Sequence, residues 1–232
     1  MSSLVATDFS ENSEPAILQA ARLARAHDEQ LVLVHCLETA VDDTPWRHLL
    51  EMPQAMRGQF WKAANNRLEE VYESTVPAAQ RPTRVDFRVE LKFAEDGILS
   101  LLDEEDYSMV VMGATGLGRV ANFFLGSTTE DIVRRSDVPV LVVRDDAPDG
   151  PYDKIVAPID LTDCSRQSLN QAAALARQDG AELLIVHAYV LPVTETTFLP
   201  SQMPPETIEA YEKQRERELQ KFVDSAKLAG VE

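Results

Sequence analysis

What the sequence lacks narrows it first. Two cysteines, Cys36 and Cys164, stand far apart in 232 residues, which leaves no disulfide framework and no pair at metal-binding spacing. A reducing compartment is the expectation that follows. No apolar run approaches the roughly 18 residues of a membrane helix. The opening residues, Met1-Ser2-Ser3-Leu4-Val5-Ala6-Thr7-Asp8, carry neither the basic nor the apolar region of a secretory leader. A cytoplasmic protein is expected. Positive charge is scarce too: 22 Lys and Arg face 39 Asp and Glu, a formal net charge of −17. A surface of that sign repels nucleic-acid backbones and anionic lipid, so either partner needs a local basic patch. The densest basic cluster, Lys213, Arg215 and Arg217, alternates with Glu212, Glu216 and Glu218, the pattern of a solvated helix face laced with charge pairs. Neither nucleic acid nor membrane is expected as a partner. Hydrophobic residues still make up 44% of the chain, enough for a substantial core.

What is present is a repeat. A shift of 152 positions aligns residues 4–36 with 156–188 without a gap. Asp8 falls on Asp160, Ser13 on Ser165, Gln19-Ala20-Ala21 on Gln171-Ala172-Ala173, and Val34-His35 on Val186-His187. Periods of this kind are read before anything else because they decide the architecture. Each copy opens with a short apolar run, Leu4 to Thr7 or Ile155 to Ile159, suited to a strand buried on both faces. An Asp and then a hydroxyl residue, Ser10 or Thr162, follow, placed to cap the next helix. Ala16, Ala20, Leu23 and Ala24 have helical spacing, and a second strand follows at Leu31 to Cys36, or Leu183 to Tyr189. Strand, helix, strand with short connections is a right-handed parallel crossover.

The first copy continues through a polar, proline-bearing stretch to a helix near Gln54–Ser74, with Phe60, Ala64, Leu68 and Val71 on one stripe. Val85, Phe87, Val89 and Leu91 alternate as in a half-buried strand. A short helix with Ile98, Leu101 and Leu102, a strand at Met109 to Met112, a helix through Thr129–Arg135 and a strand at Val140–Val143 complete it. The expected fold class is α/β, an open, doubly wound, parallel five-stranded sheet. Asp145 to Pro151 reads as a linker. The domains are therefore drawn at 1–147, complete, and 152–232, a partial second copy. The second copy has two strands and two helices, with Glu232 falling on Gln80; because an open sheet edge is unstable or sticky alone, either the chain is incompletely represented, the favoured expectation, or this half packs on a partner.

One stretch carries chemistry. Met112-Gly113-Ala114-Thr115-Gly116-Leu117-Gly118-Arg119 runs on through Phe124-Leu125-Gly126-Ser127-Thr128-Thr129-Glu130, after a buried strand and into a helix. Glycines let backbone approach a ligand, successive amides form an anion nest, and the helix adds the positive end of its dipole. Ser127 and Thr128 offer hydroxyls to phosphate oxygens. A plainer reading stands beside this one: Ser127 to Glu130 is a capping box with Ser127 as N-cap, and Gly113 and Gly116 are turn residues. Neither Gly-x-Gly-x-x-Gly at the first crossover nor a Walker lysine is present, so the two common nucleotide fingerprints do not apply.

Gly113, two residues, Gly116, nine residues, then Gly126-Ser127 resembles the signature of the ATP-binding class of universal stress proteins. Ala6-Thr7-Asp8-Phe9-Ser10, Val34-His35, Val110-Val111-Met112-Gly113 and Ser136 to Val143 resemble that family's strand ends in the same order. The resemblance implies an adenine-nucleotide alpha-hydrolase-like fold that binds ATP, with or without Mg2+, and hydrolyses it little or not at all. It counts Thr7 among the nucleotide-binding residues and places Asp8 near the adenine edge, Cys36 against the base, and Met112 and Gly113 beside the adenosine. Gly116, Gly126, Ser127 and Thr128 hold ribose and phosphates. His35 and His187 are read as hydrogen-bonded core residues, Cys164 as an inert surface thiol. The second copy keeps Asp160 and Thr162 but has no glycine loop, so one nucleotide per chain is expected. In the family that last strand pairs between subunits or between tandem units; with no such strand in the second copy, a homodimer through the Val140–Val143 edge is expected.

Two other functions compete. An adenylating or pyrophosphatase enzyme on a related fold needs Ser-Gly-Gly-x-Asp-Ser after the first strand. Here Thr7-Asp8-Phe9-Ser10-Glu11-Asn12-Ser13 contains no glycine. A ligand-independent dimerising module of the stress response needs only the apolar edge strand.

Overall fold

The structure is a computed structural model that describes residues 1–37, 54–116, 125–190, 205–226, 228 and 230. The middle of the glycine stretch (117–124), the polar stretch after the second strand, and Ala229 lie outside the described residues. The chain divides into two compact units, Met1–Gly150 and Pro151–Glu232.

In the first unit, β1 (Ser2–Ala6), β2 (Gln30–Cys36), β3 (Val85–Glu90), β4 (Tyr107–Gly113) and β5 (Val140–Val143) form one parallel sheet ordered β3-β2-β1-β4-β5. The apolar run of β1 is continuous because it is covered on both sides. Val5 packs with α1 (Glu14–Ala26) and α2 (Gln54–Thr75), in a cluster that includes Ala16, Ile17, Ala20, Leu68 and Val71. Leu4 faces the other way, with Val32, Val34 and Val110, under Ile98 and Leu101 of α3 (Ala94–Glu104) and Ile132 of α4 (Ser127–Arg135). Two clusters on opposite faces are what alternating side-chain direction requires of a doubly wound sheet.

Some details differ from the sequence reading. The buried stripe of α2 runs through Trp61, Ala64, Leu68, Val71 and Tyr72, while Phe60 is exposed. β3 ends at Glu90, leaving Leu91 outside it, and Thr7 lies just beyond β1. Ser10 does not cap α1 with its side chain; Ser13 N donates instead to Ser10 O. Pro15 at the start of α1 has no N–H to give, and a single 3-10 turn, Glu11–Ser13, precedes the helix.

The second unit holds β6 (Lys154–Ile159), α5 (Asp163–Asp179), β7 (Glu182–His187) and α6 (Pro205–Asp224). Tyr189 falls outside β7. β6 pairs with β7 in parallel from Lys154↔Glu182 to Ile159↔His187, the same register as Ser2↔Gln30 and its successors shifted by 152. Here the hydroxyl cap forms as read: Thr162 Oγ1 accepts from Ser165 N. Ala157, Ile159, Leu169 and Phe222 make its small core. Among the described residues, no helix is long and apolar enough to cross a membrane.

Candidate functional site

In the first unit β1 leads through α1 to β2 on one side, while β4 lies on its other side and leads to β5. Such a reversal leaves a crevice at the carboxyl ends of the strands. The protein has a cavity of about 510 Å³ there, within the range of small-molecule sites, about 300–1,000 Å³. Three walls enclose it. Ala6, Thr7, Asp8 and Ser13 come from the turn after β1; Val34, His35 and Cys36 from the end of β2, with Ala94 and Ile98 of α3; Met112, Gly113, Thr115 and Gly116 from the end of β4, with Gly126 to Thr129 at the start of α4. All nine residues expected at the nucleotide line this one cavity.

The first wall is held by local hydrogen bonds. Asp8 Oδ1 accepts from Ser10 N at 3.0 Å and Ser10 Oγ at 2.5 Å. Phe9 adopts φ 64°, a left-handed conformation uncommon for a bulky residue. Thr7 Oγ1 accepts from Phe9 N at 3.0 Å and lies 2.7 Å from Ser13 Oγ. Ser13 gives its own proton to Ser10 O at 2.8 Å, so Thr7 is the donor in that pair. The Thr7 hydroxyl proton is thereby engaged within the turn. His35 Nδ1 lies 2.8 Å from Thr7 O; a carbonyl only accepts, so Nδ1 carries the proton. The His35 ring also packs on Phe9, centroids 4.0 Å apart.

The second wall is apolar and close. Cys36 Sγ reaches Ala94 O at 3.8 Å, and a Cβ on Gly97 would stand 2.7 Å from that sulfur. Only a glycine lets α3 lie so near the end of β2. Ala94 and Ile98 carry no chemical signature in the sequence, which shows only a short helix there. His35, read as core, is half-buried and hydrogen-bonded, and lines the cavity as well.

The third wall is backbone and hydroxyl. Ala114 N donates to Val143 O at 2.7 Å and Gly126 N to Ala114 O at 2.8 Å, pinning both described ends of the glycine stretch to the sheet. The N-cap of α4 is Gly126, not Ser127, and no side chain caps it. The Thr129 hydroxyl donates to Gly113 O at 2.9 Å. The expected capping box is therefore absent. Ser127 and Thr128 sit in the first helical turn, whose amides have no partner inside the helix and mark its positive end. A Cβ on Gly116 would overlap Asp8 Oδ2, and one on Gly113 would lie 3.0 Å from Asn12 O. Gly126 has ordinary space around it. Among the described residues, no lysine or arginine lines the cavity. Among the described residues, no cluster of three His, Cys, Asp or Glu side chains is placed to hold a metal ion.

The second unit repeats the first wall alone. Asp160 Oδ1 accepts from Thr162 N at 3.0 Å and Thr162 Oγ1 at 2.6 Å. Leu161 has φ 66° and His187 Nδ1 lies 2.9 Å from Ile159 O. The Thr162 hydroxyl and then its amide hold the Asp160 carboxyl down, to a pKa of about 2. The Cys164 thiol is exposed.

Fold and cavity define a class: a doubly wound α/β protein with a crevice at its switch point. Family-level similarity is more specific. Residues 3–144 and 151–232 each match the model of the universal stress protein family, and the chain belongs to that family, with two copies in tandem. It is 31% identical over 143 residues to a universal stress protein of Thermus aquaticus from a QAH/OAS sulfhydrylase 3' region, covering 61% of this chain and 96% of that protein. It is 28% identical over 193 residues to universal stress protein Rv2005c of Mycobacterium tuberculosis, covering 80% of this chain but 63% of that protein's length. The crystal structure of a universal stress protein from Archaeoglobus fulgidus shares the fold over 94% of this chain and 74% of its own, with a TM-score of 0.55 at 17% identity.

Proposed function

We propose that the first unit binds ATP, or a closely related adenine nucleotide, in the switch-point cavity, and that the protein is a stress-response regulator which reads this ligand with little or no hydrolysis. One observation carries the reading. Nine residues chosen from motifs at four separate places in the chain converge on a single cavity of about 510 Å³. The walls divide as a nucleotide does. Cys36, Ala94 and Ile98 give an apolar slot for a purine. Gly116, Gly126, Ser127 and Thr128 give amides, hydroxyls and a helix N-terminus for phosphates. The bare approach of Gly116 to Asp8 makes room for backbone against a ligand where a side chain would fill it. Mg2+ is proposed to enter with the phosphates as their counterion.

Equilibrium dialysis against ATP, with thermal shift as a second readout, tests the proposal. The intact chain is expected to bind one ATP and to melt at higher temperature in its presence. A Gly113→Val, Gly116→Val double variant is expected to lose both effects; unchanged binding by that variant removes this cavity from the assignment.

The same unit is proposed to form a homodimer through β5. Supporting this, β5 ends the strand order, with one side unpaired within the sheet, and Val140, Leu141 and Val142 are half-buried. Light scattering that gives a monomer mass at micromolar concentration removes the dimer.

A further inference from the structure

Asn12 does not line the cavity, yet it touches the described part of the glycine stretch twice. Its side-chain Nδ2 donates to Gly116 O at 3.3 Å. Its own carbonyl oxygen stands 3.0 Å from the place a Cβ on Gly113 would take. Asn12 sits in the short 3-10 turn that follows Asp8, so this one residue joins the first wall to the third, across 104 positions of chain. The same Gly116 passes Asp8 closely enough to exclude a Cβ.

The second unit supplies an independent comparison. It keeps Asp160, Thr162, Ser165 and His187 at the positions of Asp8, Ser10, Ser13 and His35, and it keeps their hydrogen bonds and the positive φ between them. At the position of Asn12 it has Cys164. The residues shared by both units bond to one another within the turn. Several residues differ between the two turns, Thr7 becoming Ile159 and Asn12 becoming Cys164; of these, Asn12 is the one whose side chain bonds Gly116, outside the turn.

We infer that Asn12 is a positioning residue for the phosphate end of the nucleotide: it holds the Gly116 carbonyl so that the loop keeps its place beside Asp8, and it leaves the purine slot untouched. The inference rests on the nucleotide reading above and adds which part of the ligand Asn12 serves. Its signature is a loss of discrimination between ATP and adenosine, because adenosine has no phosphates for the loop to meet.

Dissociation constants for ATP and for adenosine, measured by equilibrium dialysis on the full chain, test this in the unsubstituted protein, in Asn12→Cys and in Asn12→Ala. The cysteine variant places at this position the residue that the second unit carries there, in a turn that folds with it. ATP binding is expected to weaken by about three- to tenfold, the scale of one neutral hydrogen bond. Adenosine binding is expected to stay within about twofold, and the melting temperature without ligand to stay within about 2 °C. An equal loss for both ligands, or an unchanged ATP constant, overturns the inference while leaving ATP binding itself in place. A lowered melting temperature in both variants, with the ratio of constants unchanged, overturns it in favour of a structural role. An unsubstituted protein that binds no ATP overturns the nucleotide reading, and this inference with it.

Discussion

The two units begin with the same turn and place it in different surroundings. Strand register, left-handed residues and the histidine-to-carbonyl bond recur 152 positions apart: Phe9 with Leu161, Asp28 with Gly180, and His35 with His187. The faces of their sheets diverge. Leu4 is 0% exposed beneath α3 and α4, whereas Val156, at the same register position, is 54% exposed. Val32 and Val34 are buried; Leu184 and Val186 are not. A turn is written in five or six neighbouring residues and forms wherever they occur. Burial depends on what else packs against the sheet, and so does the first unit's cavity, whose third wall comes from β4 and α4.

The largest expected effect breaks the comparison at the sheet face. Leu4→Ala removes a fully buried side chain and is expected to cost about 2–5 kcal/mol of unfolding free energy. Val156→Ala, its counterpart, is expected to stay within about 0.5 kcal/mol, as exposed positions do. Urea titration followed by circular dichroism measures both, and equal costs would mean that the second face is covered in solution.

Glycines give the next contrast. Gly116→Val is expected to weaken ATP binding by about 1–3 kcal/mol, the cost of forcing atoms into filled space, or about five- to 150-fold in affinity. Calorimetric titration reads it directly. In the second unit, Gly180 sits at φ 69° with open space around it. Gly180→Ala meets only the left-handed backbone penalty, about 1–2 kcal/mol of stability, and is expected to leave the ATP constant unchanged. The same residue type serves room for a neighbour in one unit and a backbone angle in the other.

Much of this was legible beforehand, for identifiable reasons. The strands of the sheet core read as continuous apolar runs because both faces are covered, and the 152-residue repeat showed that residues 4–36 and 156–188 fold alike. Motif order brought Thr7, Asp8, Cys36 and the glycines to one place. The misses came where one-dimensional spacing is ambiguous. Phe60 and Trp61 stand four and three residues before Ala64, both neighbours on a helix, and apolar identity cannot choose between them. Gly126 and Ser127 both suit an N-cap; the choice was made by the Gly126 amide bonding Ala114 O and the Thr129 hydroxyl bonding Gly113 O, contacts from another element. Ala94 and Ile98 reach the cavity on a helix far along the chain from Cys36, and small apolar side chains announce nothing. Asn12 was hidden for the opposite reason: its polar side chain suits any helix start, and only its partner, Gly116, distinguishes it from a cap.

The smallest effects sharpen what the shared turn does by itself. Thr162 has two tasks: its Oγ1 accepts from Ser165 N to cap α5 and donates to Asp160 Oδ1. Thr162→Ala removes both. Loss of the cap is expected to cost about 1 kcal/mol. The Asp160 carboxyl, held at about 2 chiefly by the Thr162 hydroxyl and then its amide, is expected to rise toward the ordinary aspartate value of about 3.9. A carboxyl lowered on folding favours the folded state above its unfolded pKa, and that contribution is lost as pH falls through the folded value. The stability gap between the unsubstituted protein and Thr162→Ala is therefore expected to narrow between about pH 4 and pH 2, down to the part owed to the cap. Carboxyl-carbon NMR separates the two parts: at pH 3 the unsubstituted Asp160 stays mostly ionised, while in the variant a larger fraction takes up a proton. An Asp160 titration that does not move in the variant would show that the Leu161 backbone, not the Thr162 hydroxyl, sets this turn, and the first unit's Asp8–Ser10 pair would then lose the meaning given to it here.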